Sequence, residues 1–101
     1  MDIFLYDSEG CKGLITNAKG MLALENLVEP QCSQEVKKLF EEGEIEYQEN
    51  AAFTKLADEI RNVKCDDIEM KSVIDNLSSL ISQCKDVAII SNGAASIYFK
   101  E

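Results

Sequence analysis

The sequence predicts a small α+β domain: a mostly antiparallel sheet of three to five strands covered by three or four helices. Three observations predict it. The chain opens on DIFLYD, a continuous bulky apolar run. Its middle holds two segments whose apolar residues recur at helical spacing. Its end, DVAIISNGAASIYFKE, reads as two strands joined across Asn-Gly. A chain of 101 residues is one domain, residues 1–101. With 46% apolar residues it has enough to bury a core without help from disulfides or metal.

The elements follow in order. In DIFLYD, Ile3 and Leu5 face one side and Phe4 and Tyr6 the other, the pattern of a central strand with both faces covered. SEGCKG is a glycine-bearing turn, and LIT adds a short second strand. Thr16 or Asn17 caps a helix running to about Val28, with Met21, Leu24, Leu27 and Val28 inward and Pro30 beyond its end. Ser33 opens a short helix carrying Val36, Leu39 and Phe40, which Gly43 stops. EIEYQ alternates with period two and forms a strand with Ile45 and Tyr47 inward. Asn50 caps a helix whose Phe53, Leu56, Ala57, Ile60 and Val63 make one stripe. Asp66, with Glu69 three residues on, resembles a capping box. The helix it opens presents Met70, Val73, Ile74, Leu77, Leu80, Ile81 and Cys84. Asn92-Gly93 suits a type I′ turn pairing Ser91 with Ala94. That register puts Ala88, Ile90, Ala95, Ile97 and Phe99 on one face, and Val87, Ile89 and Tyr98 on the other.

Composition excludes several kinds of chemistry. There is no histidine, so histidine-activated nucleophiles, histidine metal sites and the usual near-neutral base are absent. The four cysteines, Cys11, Cys32, Cys65 and Cys84, form no CxxC pair and are read as reduced, buried or half-buried thiols. Cys11 beside Lys12 is the one thiol with an activating neighbour, and an incidental place in a turn explains it better. SEGCKGLIT follows a strand, but Lys12 precedes the last glycine, so it is no phosphate-binding loop. Asp66, Asp67 and Glu69 lack the ligand spacing of a calcium loop, and the run Asp7, Glu9, Gly10 stops short of one. No cofactor, metal or catalytic residue is expected, and the chain is read as a non-enzyme. The opening MDIFLYDSEG carries an acid at position 2 and fits neither a signal nor a transit peptide, so Met1 is read as the native start. No stretch is apolar for long enough to span a membrane. A cytoplasmic protein is expected.

Net charge is −9, and it is uneven. Residues 1–50 hold 4 lysines against 11 acids, a net −7, and the second half carries −2. Such a field repels nucleic acid and anionic membranes and attracts basic surfaces. Five glutamates, Glu41, Glu42, Glu44, Glu46 and Glu49, fall within nine positions around Ile45 and Tyr47. On a strand Glu44 and Glu46 point the same way, about 7 Å apart. Glu41 and Glu42 end a helix, where the macrodipole disfavours negative charge. This run is the expected partner-binding site, with Tyr47 as its aromatic anchor. The function expected is a binding protein, monomer or weak dimer, that occludes a basic partner surface. An immunity protein or antitoxin-like inhibitor of a toxin or nuclease fits that description. The alternatives are a phage-type inhibitor mimicking nucleic acid, and a structural subunit that oligomerises through a strand edge.

Overall fold

The computed structural model describes residues 2–17 and 19–92. Four strands form one antiparallel sheet in the order β2-β1-β4-β3, accompanied by four helices, an α+β fold. The strands are β1 (Asp2–Asp7), β2 (Gly10–Thr16), β3 (Glu44–Glu46) and β4 (Val87–Asn92). The helices are α1 (Met21–Val28), α2 (Gln34–Glu42), α3 (Asn50–Arg61) and α4 (Ile68–Ser82). β1 is central, as its two apolar sides require. β4 is central too, with β1 on one side and β3 on the other. Gly93, and with it the second limb expected of the C-terminal hairpin, lies outside the described residues.

Register assigns the two faces of the sheet. Leu5 stands opposite Ile90 and Gly13, Ile3 opposite Ile15, and Ile45 opposite Ala88. These positions form the face that meets the helices, and all but Gly13 lend side chains to the core with Leu24, Val36, Leu39, Phe53, Ile60, Ile74 and Leu77. Gly13 marks a close approach of helix and sheet. A Cβ there would stand 2.7 Å from a Leu80 methyl, so α4 sits directly on β2. The other face carries Phe4, Tyr6, Val87, Ile89, Glu44 and Glu46. None of these belongs to the helix-side core.

Helix boundaries follow local chemistry. α4 is capped by Asp67 and not Asp66: the Asp67 carboxylate accepts from the N–H groups of Glu69 at 2.9 Å and Met70 at 3.3 Å. Lys19 pairs with the same carboxylate and, with those amides, holds it below the usual range. α3 begins one residue earlier than expected, with Glu49 at the cap position and Asn50 as its first residue. α1 starts at Met21, later than expected, because Asn17 spends its side chain on the preceding turn. Its amide oxygen accepts from Lys19 N–H at 3.1 Å and its amide nitrogen donates to the Gly20 carbonyl at 2.9 Å. Ser33 occupies the cap position of α2 without capping it. Its hydroxyl donates to Glu59 of α3 at 3.0 Å, and its N–H donates to the other oxygen of that carboxylate. Gly43 ends α2 at φ 81°, the left-handed conformation expected of it.

α3 and α4 pack against each other. Ser78 donates to the Ala57 carbonyl at 2.7 Å inside that contact, so its buried hydroxyl is satisfied. Every stripe residue expected on α3 is buried, Phe53 and Ile60 completely. On α4 only Leu80 is left half-buried, at the margin against β2.

Candidate functional site

The acidic run spans the end of α2, all of β3 and the cap of α3, and the structure divides it. Glu41 turns toward α1, where it lines a groove with Glu25, Glu29 and Lys37. There the Glu29 carboxyl is raised above its ordinary range, first by desolvation and then by a hydrogen bond to Glu41 and the charges of Glu41 and Glu25. Glu49 sits at the N-terminal cap of α3, where the helix dipole favours a negative charge. Glu42, Glu44 and Glu46 stay together. With Lys38 and Ile45 they line a groove of about 250 Å³ along the outer side of β3.

All five glutamates are exposed. Every ion pair among the described residues goes elsewhere, to Asp7, Glu9, Asp58, Asp67 or Asp75. Glu44 stands directly opposite Ile89 and Glu46 opposite Val87, so both carboxylates share a sheet face with half-buried apolar side chains. Ile45, between them, is buried in the core as its alternation requires.

Tyr47 is half-buried and already held on two sides. Its ring meets Phe53 edge-on at 4.9 Å, and its hydroxyl donates to the Glu35 carboxylate at 2.6 Å. Burial, followed by that hydrogen bond and the charges of Glu35 and Glu59, raises its phenol well above the ordinary value. It also lines a groove of about 500 Å³ with Ser8, Glu46, Gln48, Asp86 and Val87. Carboxylates therefore stand on two sides of the ring's accessible part.

The loop considered for reactive chemistry is a structural network. Asp7 is fully buried, and Lys12, the extra residue of a bulge where β2 pairs with β1, reaches its carboxylate at 3.0 Å. The same carboxylate accepts from the N–H groups of Glu9 at 2.9 Å and Lys85 at 3.3 Å. That ties the β1–β2 turn to the start of β4. Lys12 is held charged chiefly by its hydrogen bond to Asp7, which leaves Cys11 without a free ammonium beside it. Cys11 is exposed, where a buried or half-buried thiol was expected. Burial pushes the Cys32 thiol up to about 11 and the Cys84 thiol up to about 12, so neither is a thiolate at neutral pH. Among the described residues no group of three or more acidic or cysteine side chains is placed to hold a metal ion.

Sequence reasoning found the glutamates but not the company they keep. The apolar neighbours Val87 and Ile89, and Glu35 beneath Tyr47, come from segments far apart in the chain or on another element. Comparison with protein-family models, with curated proteins and with solved structures finds no match. No helix among the described residues is long and apolar enough to cross a membrane.

Proposed function

We propose that this is a non-catalytic cytoplasmic binding protein that occludes a basic surface on a partner, in the manner of an immunity protein or antitoxin. One observation carries the reading. Glu42, Glu44 and Glu46 converge on a single edge of the sheet, outnumbering Lys38 in their groove and joined by no ion pair among the described residues, beside the partly accessible Tyr47. Exposed carboxylates there add little to folding, whereas their summed field speeds encounter with a cationic surface. The overall −9 charge, concentrated in the first half of the chain, acts in the same sense. A toxin or nuclease domain offers such a surface, because its cleft must attract phosphates.

The test is affinity capture on immobilised wild-type protein and on a Glu42→Gln/Glu44→Gln/Glu46→Gln variant. The wild type should retain a basic protein that raised salt releases and whose activity falls on binding. The variant should retain much less of it. Identical retention by both resins would refute the reading.

A further inference from the structure

We propose that the outer edge of β3 is a strand-addition site for an extended, lysine- or arginine-bearing segment of another protein. This deepens the functional reading above and rests on it. Among the described residues β3 ends the sheet and pairs with β4 alone. The Gly43 carbonyl accepts from Ile90 N–H at 2.9 Å, and Tyr47 N–H donates to the Asp86 carbonyl at 3.0 Å. In an antiparallel ladder, backbone groups alternate sides. Positions 43, 45 and 47 therefore turn toward β4, and the N–H and C=O groups of Glu44 and Glu46 turn outward. They open onto the groove between β3 and α2.

Charge selects the occupant. A strand laid in this groove would place alternate side chains beside Glu44 and Glu46, which stand between the guest and Val87 and Ile89 on the same face. Lysines or arginines there would pair with the carboxylates. A second copy adding through the same edge would bring Glu44 and Glu46 against their own counterparts, and like charges directly opposite are destabilising. The edge thus favours a basic guest and disfavours itself. Main-chain bonds hold such a guest and alternate side chains select it.

The probe is a short synthetic peptide alternating lysine with valine, and its counterpart with glutamate in place of lysine. Binding is followed by amide NMR and titration. The lysine peptide should shift the Glu44 and Glu46 amides and slow their exchange, and the glutamate peptide should not. Glu46→Gln keeps the outward N–H and should weaken binding only a few-fold. Glu46→Pro removes that N–H without touching the β4 ladder. It should bind about tenfold more weakly than Glu46→Gln, the worth of one hydrogen bond. Unchanged amide dispersion elsewhere checks that both variants fold.

Equal binding by the proline and glutamine variants overturns strand addition, as does failure of the lysine peptide to bind. Shifts confined to β2 overturn it too. So does protection of the Glu44 and Glu46 amides before any peptide is added, whether by dimerisation or by residues 93–101. The reading in the previous section survives any of these if capture still depends on the glutamates, and fails alone if capture does not.

Discussion

Asp7 illustrates how single residues set the terms here. A fully buried carboxylate is tolerable only because Lys12 and two backbone N–H groups satisfy it. Asp7→Ala leaves the Lys12 ammonium, itself largely covered, with only Glu9 at 3.7 Å. It should cost about 2–3 kcal/mol in denaturant unfolding. Asp7→Asn keeps an acceptor oxygen and should cost less. Glu29 works in the opposite direction. Its carboxyl is raised by desolvation and by Glu41, so the folded state binds that proton more tightly than the unfolded chain does. The charged form is therefore a liability at neutral pH, relieved as pH falls through the folded value toward the unfolded one. Glu29→Gln should raise the melting temperature at pH 7, and the gain should fade in mildly acidic buffer. Equal gains at both pH values would show that the charge of Glu29 is not the cause.

At the scale of elements, Gly43 joins α2 to β3 and so aims the acidic edge. Its φ of 81° is the reason for glycine, since a Cβ there would meet nothing closer than the Ile90 carbonyl oxygen at 3.7 Å. Gly43→Ala should therefore cost about 1 kcal/mol of conformational strain, and a β-branched residue more. Thermal melts of the two variants check the order, and a neutral alanine would mean that the cap relaxes. This cap was legible in the sequence, as were the stripes of α3 and α4, because glycine after an amphipathic run and apolar residues every third or fourth position are local signals. β2 was legible only in part. GCKG has two glycines and reads as a turn ahead of the LIT strand, yet pairing with β1 draws all seven residues of GCKGLIT into a strand, the bulge at Lys12 included. The choice of Asp67 over Asp66 turns on backbone angles that adjacent aspartates do not reveal. Glu59 serving the start of α2 from 26 residues away was beyond any local reading. The site divides in the same way: five glutamates are plain to see, whereas their grouping into Glu42, Glu44 and Glu46 depends on the β3–β4 register.

Over the whole molecule, the helix-side core joins one face of the sheet to the four helices, and the acidic edge stands at the end where β3 meets α2. The ion pairs among the described residues fasten turns and helix ends elsewhere and none reaches Glu42, Glu44 or Glu46, so this end stays net negative although Lys38 lines its groove. A field of that kind acts on encounter before contact. The most direct measurement is the association rate of the captured basic partner with wild-type protein and with Glu44→Gln/Glu46→Gln, across a range of salt concentrations. The rate for wild type should fall steeply as salt rises. The variant should fold normally, associate about tenfold more slowly at low salt, and show a shallower salt slope. Identical rates and slopes for the two proteins would contradict the account and leave the glutamates as a solvated coat.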